Sequence, residues 1–167
     1  MNANLQFDFI VDKRENTIRI KREFAAKRQL VWDCYTKSEL LDRWFAPKPF
    51  TTKTKSMDFK KGGLWHYAMV DPEGKKYWGL MNYLTITPIE NYTSLDGFCD
   101  ESGTLNLALP RANLDVTFED ASAQSFVHTV VQYKSLEDLE KVIQMGMQEG
   151  LISTLECLDE LLLNLSQ

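Results

Sequence analysis

The stretch Ser135–Leu165, SLEDLEKVIQMGMQEGLISTLECLDELLLNL, constrains the rest of the chain most. Leu139, Val142, Ile143, Met147, Leu151, Leu155, Leu158, Leu162 and Leu165 recur at three- and four-residue steps. Glu140, Gln144, Gln148, Glu156, Asp159 and Glu160 take much of the opposite side. This is the pattern of one long amphipathic helix. Ser135 is placed to cap its start with Asp138 three residues on, and Glu137, Asp138 and Glu140 suit the positive end of the helix dipole. Apolar side chains of this kind contribute roughly 1.5–3 kcal/mol each when fully buried, which an isolated helix cannot realise. The remainder of the chain must therefore supply a surface that receives this face.

Two residues in the stretch oppose its own propensity. Gly146 and Gly150 each cost roughly 0.5–1 kcal/mol relative to Ala in a helix interior, and their spacing puts them on one face. Either the backbone packs closely against a sheet there, or the missing side chains, with Met145 and Met147 beside them, leave room for a ligand.

The preceding residues read as the partner surface. Leu5, Phe7, Phe9 and Val11 alternate with polar residues; after DKREN the alternation resumes with Ile18, Ile20 and Arg22 leading to Phe24, against Arg19, Lys21 and Glu23. This is a β-hairpin or a long broken strand. Leu30, Val31, Cys34 and Tyr35 suit a short helix over 27–36, and Ser38 can cap a second one carrying Leu40, Leu41 and Trp44, ended by Pro47 and Pro49. Period two then takes over in the segments 50–59, 64–70, 77–87, 92–99, 113–119 and 124–133. Gly62-Gly63, Asp71-Pro72-Glu73-Gly74, Pro88 and Asp120-Ala121-Ser122 punctuate them as turns. Short sequential turns imply an antiparallel meander, and one apolar helix face arriving last must cover its concave side.

With 44% hydrophobic and 26% charged residues among 167, the chain reads as one globular domain over residues 1–167. No apolar run approaches the roughly 20 residues of a membrane span, and the first residues lack the signature of a secretory leader. A cytoplasmic location without membrane insertion is expected. Cys34, Cys99 and Cys157 are too far apart for a disulfide framework or a Cys-based zinc site, and reduced thiols are expected. Residues 1–61 hold 14 Lys/Arg against 8 Asp/Glu, and residues 62–167 hold 5 against 16. The acidic total, with a pI near 5.1, argues against nucleic acid as a partner.

Further pieces carry a resemblance. The stretch REFAAKRQLVWDCYTKSELLDRWFAP over 22–47, Asp58 followed by Gly62-Gly63 and Trp65, the strand end with Tyr83, Ile86, Pro88 and Glu90, and Phe98, Asp100 and Gly103 together resemble, in consistent order, the activator of heat-shock protein 90 ATPase homologue-like family of the START-like (SRPBCC) superfamily. The chain departs from that pattern at Ala26, Tyr35 and Gly150-Leu151. The resemblance implies an α+β helix-grip (START/Bet v-like) fold: a curved antiparallel sheet wrapped around a long C-terminal helix, with two short helices after the first strand. It also implies an apolar cavity between sheet and helix; superfamily members with such a cavity include binders of lipids, hormones or polyketides, and enzymes.

The residues expected to line such a cavity are Trp44, Phe45, Trp65, Tyr67, Met69, Trp78, Tyr83, Met147 and Gly150. The aromatics among them serve either as plain core or as a pocket wall whose indole N–H and phenol O–H groups orient an otherwise apolar ligand. His66 and His128 lie in predicted strands with no Cys or carboxylate at ligand spacing, so neither a metal nor another cofactor is expected. No nucleophile elbow, phosphate-cradling glycine loop or dinucleotide fingerprint is present. If chemistry occurs, Tyr67, Asn82, Tyr83 and His128 are the candidates, the last only if its strand turns it inward. The expectation is non-catalytic binding of a small hydrophobic or amphipathic molecule by a monomer or homodimer. The alternatives are a chaperone accessory protein, which needs Lys53, Lys55, Lys60 and Lys61 as an exposed basic face, and a cyclase- or hydrolase-like enzyme using the same cavity.

Overall fold

The computed structural model describes residues 4–167. The amino-terminal alternation forms a hairpin, β1 (Phe7–Asp12) with β2 (Thr17–Phe24), followed by the short helices α1 (Arg28–Thr36) and α2 (Ser38–Leu41). Six strands follow: β3 (Thr51–Met57), β4 (Leu64–Val70), β5 (Lys76–Thr87), β6 (Asn91–Cys99), β7 (Ala112–Ala121) and β8 (Gln124–Tyr133). All eight make one antiparallel sheet in the order β1-β2-β8-β7-β6-β5-β4-β3. It is a meander except where β8 returns to pair with β2, from Thr17 opposite Gln132 to Phe24 opposite Ser125. Register shifts between Thr54 and Ser56 and between Tyr83 and Thr85 introduce the irregularities that bend a pleated surface. The curved open sheet gripping a C-terminal helix is the helix-grip fold, its two short helices following the second strand rather than a single first one.

The long helix expected over 135–165 is two. Helix α3 (Leu136–Gln144) begins as anticipated, with the Ser135 Oγ accepting the Asp138 backbone N–H at 3.1 Å. It stops at Met145, because Gly146 takes a left-handed conformation, φ 86°, that interrupts the i to i−4 ladder; α4 (Met147–Leu165) starts beyond it. Ser38 is also not a cap: it is the first residue of α2, and Lys37 holds the N-cap position without a side-chain bond. Trp44 falls in the turn after α2, where its indole N–H donates to the Cys34 carbonyl at 2.9 Å and ties that turn to α1.

The core lies between the concave sheet face and the helices. Leu155, Leu158, Leu161 and Leu162 of α4 are buried with Phe24, Trp32, Trp65, Met81 and Phe118. Trp32 of α1 sets its ring edge-on to Phe118 at 5.0 Å. A second cluster gathers Leu139 of α3 with Ile18, Ile20, Ala112, Val131 and Tyr133. Among the described residues, no helix is long and apolar enough to cross a membrane.

Candidate ligand-binding cavity

Helix α4 contributes Met147, Gly150, Leu151, Thr154 and Leu155 to one wall of a cavity of about 360 Å³. These positions step by three, one, three and one, which places them on a single helix face. The sheet supplies the facing wall through alternate residues: Ile20 and Arg22 of β2, Leu114 and Val116 of β7, and Val127, Thr129 and Val131 of β8. Met69, Met81 and Tyr92 extend it, and Tyr35, Trp44, Phe45 and Pro47 close the end toward α1 and α2. The volume lies at the lower end of the range of roughly 300–1,000 Å³ typical of small-molecule sites.

Of the residues named from the sequence, Trp44, Phe45, Met69, Met147 and Gly150 line this space. Trp65, Tyr67 and Tyr83 are on the concave side but outside the lining. Trp65 stacks on Tyr67 with centroids 4.1 Å apart, and Phe45, which does reach the cavity, packs edge-on against both at 4.9 and 5.6 Å. Tyr83 is buried against Phe59 at 4.7 Å. Trp78 is on the convex face, a correction to the sequence reading. It pairs with Ala68, whereas Tyr67 and Met69 pair with Gly79 and Tyr77, so the pleat turns Trp78 away from them. There it lies beside His66, ring centroids 5.0 Å apart, and the β5 residue that reaches the cavity is Met81.

The candidates for chemistry separate by the same parity. Val127 and Thr129 line the cavity, so His128 between them faces outward, where it meets the Glu119 carboxylate at 2.6 Å. Asn82 accepts a bond from the Arg111 guanidinium at 3.0 Å, outside the cavity. His66, also convex, is covered by the loop at 100–104 and bonds the Asp100 carbonyl at 3.0 Å. Among the described residues no group of three or more His, Cys, Asp and Glu is placed to hold a metal ion.

The most consequential lining residue absent from the candidates named above is Arg22. It shares the strand parity of Ile18, Ile20 and Phe24, so the signal was an arginine in an otherwise apolar alternation. Its side chain is 1% exposed. One terminal nitrogen donates to the Asp159 carboxylate on α4 and the other to the Glu23 carbonyl, while the guanidinium carbon lies 4.9 Å from the centre of the Phe24 ring. Tyr35 and Tyr92 are the phenols in the lining. Burial is the main cause that pushes both well above the ordinary tyrosine range, with Arg22 pulling weakly the other way on Tyr35. Both stay protonated at neutral pH, able to donate a hydrogen bond but unable to serve as a base. Burial likewise pushes the nearby Cys34 thiol up to about 11, which leaves it without thiolate character.

The sequence profile of the family described as activator of Hsp90 ATPase homolog 1-like protein matches residues 25–163. The chain belongs to that family. Solved structures agree with it in fold along almost the whole length. Protein Ms6760 from Mycobacterium smegmatis is 30% identical, with a TM-score of 0.85, over 95% of this chain and 96% of that one. A protein from Arthrobacter aurescens is 27% identical with a TM-score of 0.88, over 94% and 91% of the two chains. One from Staphylococcus epidermidis is 27% identical with a TM-score of 0.81, over 92% and 93%. No curated protein matches the chain. Family membership brings a ligand-binding fold and leaves the ligand to be argued from the cavity.

Proposed function

We propose that the protein holds a small, mainly apolar or amphipathic molecule in this cavity and returns it chemically unchanged. The observation that carries the reading is Gly150. A Cβ built there would meet nothing within 4 Å. The glycine is therefore not demanded by close backbone packing, and its missing side chain keeps open the space between α4 and the sheet. The lining offers donors but no base, which favours holding over transforming.

Native mass spectrometry of the gently purified protein, with titration by the naphthyl ketone fluorophore prodan, tests this. Prodan is expected to bind and to be recovered intact, and Gly150→Phe to abolish binding while perturbing folding less than Leu155→Asp. Prodan binding untouched by Gly150→Phe would overturn the cavity as the site. A mass change in prodan that depends on the protein would overturn the non-catalytic role.

A second reading, association with an acidic chaperone partner, is supported by the exposure of Lys53, Lys55, Lys60 and Lys61 at one sheet edge and its turn. Salt-sensitive capture of a purified Hsp90-type chaperone would support it, and the absence of such capture at low salt would remove it.

A further inference from the structure

Beside the cavity, and sharing Met69 with it, lies a smaller recess of about 120 Å³. Tyr67, Met69, Tyr77, Gly79, Asp96 and Phe98 line it, all of concave parity on β4, β5 and β6. Asp96 stands directly across the sheet from Met81, which lines the cavity. Gly79 lets the Tyr67 phenol lie over the strand, since a Cβ there would stand 2.7 Å from both its ring and its hydroxyl oxygen.

Two polar groups of the recess are left open by the protein. Asp96 Oδ1 accepts the Ala112 N–H at 2.7 Å, while its second oxygen accepts nothing from a described residue. The Tyr67 hydroxyl has no partner among the described residues either. The side-chain polar atoms that are both sealed from solvent and unpartnered are Thr17 Oγ1, Ser94 Oγ and Arg22 Nε. The Asp96 oxygen and the Tyr67 hydroxyl are therefore unpartnered but not sealed, and the space beside them is the recess that both residues line. Of the other polar groups at its border, the Tyr77 hydroxyl belongs to a side chain 47% exposed, and the Trp78 indole to a residue of convex parity.

Asp96 also lacks a counter-ion. Among the described residues no Lys, Arg or His nitrogen lies within ion-pair distance of its carboxylate. Arg111 pulls on it from farther off, its Nε spent on the Asp96 carbonyl at 2.8 Å and a terminal nitrogen on Asn82. Burial, the main cause, pushes the carboxyl up to about 6, so at neutral pH it is mostly ionised. A poorly solvated anion without a partner is costly; an entering cation offsets that cost and a second anion adds to it. Aromatic rings favour the same sign of charge, because their faces attract ammonium groups. Phe98 is 39% exposed at the recess, and the Tyr77 ring already has the Lys75 ammonium 5.2 Å from its centre.

We infer that the recess over Asp96 receives the protonated amine of an amphipathic ligand whose apolar body lies in the cavity. This rests on the binding role proposed above and names the ligand class for that site, an alkyl- or arylalkylamine. The ammonium N–H groups donate to the free Asp96 oxygen and to the Tyr67 hydroxyl oxygen, and the apolar walls supply affinity through burial.

Octylamine, 1-octanol and octanoate carry eight carbons each and differ in head group, and displacement of prodan at about pH 7.5 ranks them with the amine protonated. Octylamine is expected to bind roughly tenfold or more tightly than octanol, as a charge-assisted hydrogen bond provides, and octanoate most weakly. In Asp96→Asn the amine-to-alcohol ratio should fall to about one. A second readout follows the Asp96 carboxyl carbon by NMR: a tenfold preference of the amine for the ionised form lowers its midpoint by about one pH unit. The other groups facing that carboxyl, Arg111 and the Tyr67 and Tyr133 phenols, keep their charge states throughout this range, burial holding both phenols above the ordinary tyrosine value.

Equal displacement by amine and alcohol, or an amine preference that survives Asp96→Asn, would overturn the recess and leave the cavity reading standing. Tighter binding of octanoate than of octylamine would overturn the assignment of a cation. Should prodan itself fail to bind, the cavity reading falls and the Asp96 midpoint decides the recess alone: a midpoint unmoved by saturating octylamine would overturn it.

Discussion

Gly146 and Gly150 stand one helical turn apart and are glycine for opposite reasons. Gly146 has φ 86° and breaks the C-terminal helix in two; Gly150 is an ordinary helical residue facing open space. A side chain at Gly146 would force an L-residue into the left-handed region, which costs roughly 1–2 kcal/mol. At Gly150 an alanine methyl has room, and helix propensity favours it by roughly 0.5–1 kcal/mol. Gly146→Ala should therefore lower the thermal midpoint and Gly150→Ala should raise it, as read by calorimetry on the two single variants.

The ion pair between Arg22 and Asp159 joins β2 to α4 across 137 residues of sequence. Removing one partner leaves the other charge uncompensated in a poorly solvated place, so Asp159→Ala should destabilise the fold by about 3 kcal/mol. Arg22→Met/Asp159→Leu should cost substantially less than the single change, because no buried charge is left behind. Urea unfolding of both variants checks the order, and equal losses would show that the pair contributes little.

Asp96 gives a pH-dependent term. Burial pushes its carboxyl from the ordinary 3.8 up to about 6, opposed by the Ala112 backbone N–H and by Arg111. Between those two values the folded protein holds a proton that the unfolded chain has released. The contribution of Asp96 to stability is thus present below about pH 4 and lost as pH rises through about 6. Asp96→Asn keeps an oxygen for the Ala112 N–H, bonded at 2.7 Å, and cannot ionise. It should be more stable than wild type by on the order of 1–2 kcal/mol at about pH 7.5, with the advantage gone near pH 4. Denaturant midpoints of the two proteins at both pH values provide the measurement.

Leu158 is fully buried on α4, whereas Leu163 on the same helix is 64% exposed. Leu158→Ala should cost about 2–5 kcal/mol, since it removes contacts and leaves a void in the core. Leu163→Ala should stay within about 0.5 kcal/mol of wild type. Chemical denaturation separates them, and a comparable loss at Leu163 would indicate that a partner covers that face.

Much of the fold was legible because its signals are local. Alternation in residues 124–133 and 64–70 matches β8 and β4 residue for residue, and the three- and four-residue steps of Leu151, Leu155, Leu158 and Leu162 already define the inward face of α4. Ser135 was identifiable as a cap from its position before an acidic first turn. The pairing of successive strands from β3 to β8 followed from the turns between them, whereas the return of β8 to β2 joins strands far apart in sequence and left no local signal.

The sequence by itself thus determined where most of the strands and helices lie and which residues of each share a face, since backbone period and side-chain polarity are properties of neighbouring residues; that Gly146 divides the last helix in two was not among them. Only the tertiary structure decided that Trp78 faces outward and Met81 inward, because register between β4 and β5 sets that choice and a one-residue slip reverses it. It also decided that Arg22 would meet Asp159, and that Gly150 would face empty space rather than a packed backbone. Those outcomes depend on how closely elements far apart in the chain approach one another, a distance fixed by the packing of all the side chains between them.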